Sequence, residues 1–175
     1  GTGVGGGLVL CGEVFDGGLG HGVEPGHMCI DMEGPLCSCG NRGCVETLCS
    51  ATWLTEQGRK ALSEAPASMI SRSVRGQRDR VDAKVVLDSA KAGDSMAKEI
   101  FERYVDHLST ALASYSVLLD PEVIALGGGV SHTGEFLLEP LRQKVKEKSF
   151  FHYLHKIVAG KLGNDAGIIG AALLR

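Results

Sequence analysis

The sequence contains 175 residues, of which 43% are hydrophobic and 22% are charged. These values are typical of a globular chain of about one domain and exclude a globally disordered one. The 18 basic and 21 acidic residues leave a net charge of −3, which argues against a nucleic-acid-binding surface. No apolar run reaches the roughly 18 residues that a transmembrane helix needs, so no membrane span is expected.

Six cysteines are too few for a disulfide scaffold in a chain of this length. Because residue 1 opens directly into a glycine turn, we expect no signal peptide. We therefore expect reduced cysteines in a cytoplasmic protein. The chain starts directly in a glycine turn, without an initiating Met and without a strand leading into that turn. This abrupt start suggests the C-terminal piece of a longer protein.

The first third of the chain predicts short strands and loops. Residues 3–15 predict two strands around a Cys11-Gly12 turn, because strand-forming residues flank it on both sides. A glycine-rich loop is expected over residues 16–26, a further strand over residues 27–32, and irregular structure over residues 33–44.

Helical periodicity begins at Val45 and predicts one helix or two abutting helices up to about Ser63. Residues 64–81 are polar, with a possible short turn. The helices, caps and strands expected after that are a helix Asp82–Lys91, a long helix capped by Asp94 and ending before Pro121, a buried strand Glu122–Leu126, a helix Gly134–Lys148, a strand Lys156–Ala159 and a closing helix 165–174. Alternating strands and helices after residue 120 predict an α/β layer with a parallel sheet.

A candidate metal site is formed by His27, Cys37, Cys39 and Cys44, since three thiolates and one imidazole complete a tetrahedral zinc shell. A closed shell has no open position for water, so such a zinc would be structural rather than catalytic. The alternative is three reduced thiols and an unrelated histidine. Two other cysteines, Cys29 and Cys49, are expected to be small buried core residues.

Two glycine-rich segments are candidates for nucleotide binding. In residues 1–7, successive backbone amides can form an anion-binding nest, although such a turn also occurs simply to form a bulge. Gly127-Gly128-Gly129 follows a predicted strand, where ligands of α/β sheets bind, although a tight strand-to-helix turn explains it equally well.

Polar residues flank the cysteine segment on both sides. Glu24 and His27 precede it and Glu46 follows its last cysteine by two positions. Carboxylates accept hydrogen bonds from hydroxyl pairs, which suits sugar recognition. Taken alone, Glu46 is better explained as an ordinary acid in the first turn of a helix.

Together these motifs resemble the ROK family of repressors, open reading frames and sugar kinases. The matching segments, in chain order, are GTGVGGG at 1–7, EPGH at 24–27, CSCGNRGCVET at 37–47, DPEVIALGGGVS at 120–131 and LGNDAGIIGAA at 162–172. The resemblance implies the actin-like, ribonuclease-H-like α/β fold of two lobes. It further implies that residues 1–175 form the C-terminal lobe with an embedded zinc-binding loop at about 27–46, the N-terminal lobe being absent from the chain.

The resemblance also assigns roles. It implies ATP-dependent phosphorylation of a hexose, with glucose to glucose 6-phosphate preferred, and it implies ATP, Mg²⁺ and a structural Zn²⁺. The family's general base lies in the N-terminal lobe, so no catalytic residue is expected here and the chain alone is expected to be inactive. The implied phosphate-loop residues are Gly1, Thr2, Gly3, Val4, Gly5, Gly6, Gly7 and Leu8, the residues near the adenosine are Gly128 and Gly129, and those for sugar hydroxyls are Glu24, His27 and Glu46.

Three alternatives stay open at this point: a sugar-responsive ROK repressor that binds DNA through a segment upstream, an N-acetylmannosamine kinase, and a stand-alone zinc-stabilised interaction module with no exposed apolar face. No nucleic-acid partner is expected unless the protein is a repressor. Self-association through the long helices is expected. Pro25 stands where the family often has an aliphatic residue, which restricts the backbone of Glu24.

Overall fold

A computed structural model describes residues 3–152 and 156–173 of the chain. Its first element is an antiparallel hairpin in which β1 (Leu8–Leu10) pairs with β2 (Glu13–Phe15). The turn falls on Cys11 and Gly12, which both have positive φ angles. The predicted strand pair is therefore confirmed.

The prediction of a strand over residues 27–32 is wrong. A 3₁₀ turn, Pro25–His27, occupies its start, and only an isolated bridge between Cys29 and Cys44 follows. The proline favours the turn because its fixed φ is preorganised for the first helical position. Residues 33–44 have no regular helix or strand, as expected.

Helices fill the middle of the chain, and the predicted break into two abutting helices occurs at Ser50. Their bounds are α1 (Val45–Cys49), α2 (Ala51–Glu64), α3 (Met69–Ser73), α4 (Ala83–Lys91) and α5 (Ser95–Leu119). The short helix α3 lies inside the segment predicted to be polar and irregular.

Side-chain caps fix where these helices begin. Asp82 caps α4 by accepting from the amide of Val85 at 2.8 Å. Asp94 caps α5 through the amide of Ala97 at 2.9 Å, and its second oxygen accepts from the amide of Met69 at 2.7 Å. Asp94 therefore joins the starts of α3 and α5, a role that its sequence position does not indicate.

Helix α5 is the centre of the hydrophobic core. It packs against α1, α2, α4 and α6 (Glu135–Lys148). The largest completely buried side chains of this core include Leu54, Ile70, Val86, Val105 and Leu141.

The last part of the chain adds a parallel strand pair, β3 (Ile124–Leu126) and β4 (Ile157–Ala159), and a closing helix α7 (Ala166–Leu173). The parallel pairing is as expected, but the predicted burial of β3 is wrong: Ala125 is exposed and its two neighbours are half-buried. Within the described residues, β3 pairs only with β4, so its other edge has no strand against it. Leu174, included in the predicted closing helix, lies outside the described residues.

Several large apolar side chains of the hairpin and of α7 are exposed. Val9, Val14, Ile168 and Leu173 are each more than 60% exposed, which counts against a stand-alone module with a fully polar surface. None of the helices in the described part of the chain combines the length and apolarity that a bilayer crossing requires.

Candidate functional site

The four predicted metal ligands converge. One ligand atom each from His27, Cys37, Cys39 and Cys44 lies within 4.8 Å of all the others. Cys37 and Cys44 are buried, His27 is half-buried and Cys39 is exposed. All of these cysteines are free thiols rather than disulfides.

The distances fit a tetrahedral zinc shell. Ligand atoms about 2.3 Å from a central zinc lie about 3.8 Å from one another along the edges of a tetrahedron. The sulfurs of Cys39 and Cys44 are 3.6 Å apart, and Nδ1 of His27 is 3.6 Å from the sulfur of Cys37. Because Nδ1 faces the sulfurs, the other ring nitrogen, Nε2, is left for a second partner.

The thiols differ in their ease of ionisation. A hydrogen bond from the backbone of Cys39 lowers the pKa of Cys37 to about 6. Burial raises the pKa of Cys44 to about 12. A coordinating thiol is deprotonated by the metal itself. Ionisation of the buried Cys44 thiol is therefore costly without an ion and favourable with one.

The loop that carries these ligands is folded by its own backbone. The amide of Cys37 donates to the carbonyl of Asn41 at 2.7 Å, and the amide of Gly43 donates to the carbonyl of Pro35 at 2.8 Å. Gly43 has a φ of 59°, and a Cβ there would lie 1.6 Å from the carbonyl oxygen of Asp31. Only glycine fits such a position, which lets the loop fold back tightly enough for its sulfurs to meet.

Glu46 links the cysteine loop to the first glycine segment. It lies in the first turn of α1, two residues after Cys44, and its Oε2 accepts a hydrogen bond from the amide of Val4 at 3.0 Å. Glu46 is therefore not merely a helix-end acid facing solvent, since it binds the backbone of the segment predicted to hold phosphate.

The turn that carries Glu24 and His27 packs against the same segment. A Cβ on Gly26 would lie 1.8 Å from the carbonyl oxygen of Val4, so the two backbones are in direct contact. The hydroxyl of Tyr115, on α5, donates to the carbonyl of Pro25 at 2.6 Å. Burial raises the pKa of Tyr115 to about 12, so its hydroxyl keeps its proton at neutral pH. Glu24 itself is exposed on this turn.

The two glycine-rich segments line one cleft of about 740 Å³. Gly3, Val4 and Gly5 form part of its wall, and Gly128 and Gly129 form another part. Of the remaining residues predicted for the phosphate loop, Gly6, Gly7 and Leu8 do not line this cleft, and Gly1 and Thr2 lie outside the described residues. The third wall is the exposed face of α4, with Lys84, Asp88 and Lys91.

Sequence reasoning predicted the helix α4 but missed its place in the wall of the cleft, and it missed the role of Tyr115. Lys84 and Asp88 form an i,i+4 ion pair that is typical of any solvated helix face, so no local pattern distinguishes a cleft wall. For Ser131 the sequence gives a weak indication, because a serine three residues after a glycine can stabilise a turn. Its hydroxyl donates to the Gly128 carbonyl at 2.7 Å.

Two further cysteines, Cys29 and Cys49, are predicted to be buried, and the structure confirms this for only one of them. Cys49 is buried, as expected, and it lies on the floor of the cleft. Cys29 is exposed, so its predicted place in the core is wrong. Its neighbours Met28 and Ile30 pack toward the core instead, which leaves Cys29 on the opposite side of the extended segment.

A model of the ROK family matches residues 1–175. The chain belongs to the ROK family. Among relatives, it is 40% identical over 174 residues to a glucokinase of Thermotoga maritima, covering 98% of this chain and 55% of that protein. It is 31% identical over 172 residues to an N-acetylmannosamine kinase of Vibrio cholerae, covering 98% of this chain and 53% of the other.

Solved ROK structures share the fold. A ROK family glucokinase from Streptomyces griseus, in complex with glucose and AMPPNP, matches with a TM-score of 0.87 at 30% identity, over 98% of this chain and 57% of the other. A ROK family transcriptional regulator, a homolog of the E. coli MLC protein, matches with a TM-score of 0.81 at 30% identity, over 98% of this chain and 43% of the other. This ROK chain thus spans about half the length of the kinases it matches.

Proposed function

We propose that the whole protein transfers the terminal phosphoryl group of ATP to a hexose, with the 6-hydroxyl of glucose as the preferred acceptor. One observation carries the proposal: the segment that lines the cleft beside Gly128 and Gly129 is bonded, through the amide of Val4, to the carboxylate of Glu46. Groups suited to phosphate and groups suited to sugar hydroxyls therefore adjoin. Similarity to glucokinases supports the same activity.

In this proposal, ATP occupies the cleft. Backbone amides of Gly3 and Gly5 donate to its phosphates, since the amide of Val4 is already bonded to Glu46, and the absence of side chains on the glycines permits close approach. The turn at Gly128 and Gly129 accommodates the adenosine. Mg²⁺ accompanies the nucleotide and offsets charge on the phosphates.

The sugar is held by Glu24, His27 and Glu46. The two carboxylates accept hydrogen bonds from its hydroxyls, and Nε2 of His27 contacts a further hydroxyl while Nδ1 faces the metal site. Structural zinc supplies the folding free energy of the loop between His27 and Glu46, because the loop has little apolar core of its own.

The proton of the attacking hydroxyl leaves to a base outside this chain. The segments that adjoin Glu24 and Glu46 contribute no aspartate in the sequence context of a kinase base. We therefore propose that the chain by itself binds metal but does not phosphorylate sugar. Self-association through the outer faces of α5 and α6 stays a prediction, which sedimentation of the whole protein tests.

A sugar-responsive repressor is the second candidate, and similarity to the transcriptional regulator favours it over other non-kinase functions. The cleft distinguishes the kinase from the repressor, because a regulator does not need backbone amides that donate to a phosphate. N-acetylmannosamine is the second candidate substrate, given the relative from Vibrio cholerae.

A coupled assay of the whole protein with ATP against a panel of hexoses and N-acetylhexosamines tests the proposal. We expect turnover that is highest with glucose. Turnover only with N-acetylmannosamine would transfer the assignment to that substrate, and no turnover together with sugar-dependent DNA binding would establish the repressor instead.

A further inference from the structure

Cys29 is an exposed cysteine that the metal site does not use. It lies two residues after His27, yet the convergent ligand set consists of His27, Cys37, Cys39 and Cys44. An exposed thiol next to a thiolate cluster is accessible to an oxidant in solution.

The backbone places Cys29 directly opposite Cys44. The amide of Ile30 donates to the carbonyl of Gly43 at 2.9 Å, and the amide of Val45 donates to the carbonyl of Met28 at 2.9 Å. These two hydrogen bonds flank the bridge between Cys29 and Cys44, so the cysteines form a non-hydrogen-bonded antiparallel pair. The Cα atoms of such a pair lie about 4.5 Å apart, within the range of about 4.4–6.8 Å that a disulfide spans.

The side chains of this pair lie on the same face. Met28 and Ile30 pack against the core, and Val45 is part of it. Because successive residues of an extended segment point to opposite sides, Cys29 and Cys44 both face away from the core, toward the metal loop. Cys44 is fully buried beneath that loop, whereas Cys29 remains open to solvent.

We propose that Cys29 is an oxidation site that captures the zinc ligand Cys44 in a disulfide and thereby dismantles the metal site. Hydrogen peroxide is the oxidant. The sulfur of Cys29 attacks the peroxide, so that an S–O bond forms, the O–O bond breaks and water leaves, giving a sulfenic acid. The sulfur of Cys44 then displaces hydroxide from the Cys29 sulfur, forming the S–S bond and breaking the S–O bond. The two sulfurs together lose two electrons, which the peroxide accepts.

The consequence is a site with three ligands instead of four. A disulfide sulfur is no thiolate, so Cys44 ceases to bind the ion and zinc affinity falls. The competing route is direct oxidation of Cys39, which is also exposed and whose sulfur lies 3.6 Å from that of Cys44. The two routes differ in whether Cys29 is needed.

The test treats the zinc-loaded whole protein with one equivalent of hydrogen peroxide. Released zinc is followed with a chromogenic chelator, and disulfides are mapped by peptide mass spectrometry without reduction. We expect a Cys29–Cys44 linked peptide, zinc release, and recovery of zinc binding after treatment with dithiothreitol.

Cys29→Ser is the deciding variant, and it is expected to bind zinc fully because Cys29 is exposed and is no ligand. It should lose both the linked peptide and the peroxide-induced zinc release. Cys11→Ser removes the exposed thiol at the hairpin turn and should behave as the unaltered protein does. Zinc release at an unchanged rate from Cys29→Ser, a Cys39–Cys44 peptide in place of the expected one, or absence of any disulfide in the unaltered protein would overturn the proposal.

Discussion

The carboxylate of Glu46 accepts a hydrogen bond from the backbone amide of Val4 across 42 positions of sequence, at 3.0 Å. Hydrogen bonds to charged groups contribute about 1.5–3 kcal/mol, more than neutral ones. This contact ties the helix that follows the metal loop to the glycine segment that lines the cleft. If ATP occupies the cleft as proposed, this contact connects the metal loop to the segment that binds the nucleotide.

Replacement of that carboxylate by an amide should weaken sugar binding. In Glu46→Gln we expect the KM for sugar to rise roughly 10- to 100-fold, as the loss of a charge-assisted hydrogen bond implies. The KM for ATP should rise less. Steady-state kinetics of the whole protein give both values, and Glu33→Gln, an exposed acid of the metal loop, serves as the control. An unchanged sugar KM in Glu46→Gln would remove this residue from the sugar site.

The close approach of Gly26 to Val4 makes a second prediction. A Cβ at Gly26 would lie 1.8 Å from the Val4 carbonyl oxygen, so Gly26→Ala must move backbone. We expect about 1–3 kcal/mol of destabilisation, the usual cost of overpacking, together with loss of turnover. Gly7→Ala is the matched control, because its Cβ would meet nothing within 4 Å. Equal unfolding temperatures for the two variants would contradict the described packing.

Loss of one metal ligand should be visible in both composition and stability. Cys39→Ser is expected to lose the bound zinc and to unfold at a lower temperature, since zinc binding contributes free energy of folding. Addition of a chelator to the unaltered protein should reproduce the lowered temperature. Zinc content by atomic absorption and thermal unfolding are the measurements, and Cys11→Ser should retain its metal. Unchanged sugar affinity after the zinc is gone would count against the role of the metal in orienting Glu24, His27 and Glu46.

The hydroxyl of Tyr115 should act through Pro25 rather than on the substrate itself. Tyr115→Phe removes the 2.6 Å hydrogen bond that holds the turn with Glu24 and His27. A loss of about 1 kcal/mol is expected, which should raise the sugar KM several-fold and change kcat little. Ser114→Ala, an exposed neighbour on the same helix, controls for general effects on α5. A fall in kcat with an unchanged KM would point to another role.

The ion pairs between α5 and α6 predict that the free energy of unfolding depends slightly on pH. Hydrogen bonds from Lys144 and then Lys148 lower the pKa of Asp106 below its usual value. A lowered pKa in the folded state contributes stability above the unfolded pKa of about 3.9, and this contribution is lost as the pH falls below that value. Because the carboxylate is about half exposed, we expect less than about 1 kcal/mol. Denaturant unfolding of Asp106→Asn and the unaltered protein should show a larger difference at pH 7 than at pH 3, and high salt should reduce the difference at pH 7.

The metal site and most helices followed from the sequence because local rules determine them. Asp94 caps α5 as predicted, whereas Asp82, predicted as the first residue of a helix, is the cap of α4. The four predicted metal ligands converge, with Gly43 allowing the loop to fold back. Apolar periodicity predicts one face of α6 formed by Phe136, Leu137, Leu141 and Val145; the last three are buried and Phe136 is half-buried.

Long-range contacts were beyond such rules. Nothing in the residues around Glu46 indicates a bond to Val4, because that contact depends on how α1 packs against the first glycine segment. The failure at Cys29 has the same origin: an apolar neighbourhood predicts a core residue, but alternation places its two neighbours inward and the thiol outward. The burial expected for β3 required a strand on its other edge, and the sequence alone does not say which segment supplies it.

Helix α5 sets the distance between its cap at Asp94 and the contact that Tyr115 makes with Pro25. Its 25 residues extend about 37 Å, and Tyr115, which holds the turn at Pro25, lies about 31 Å along it from the cap at Asp94. Each added residue rotates everything beyond it by about 100°, so one insertion between Leu108 and Tyr115 would swing the hydroxyl away from Pro25 without unfolding the helix. Insertions and deletions should therefore be tolerated in the linker after α2 and not in the second half of α5.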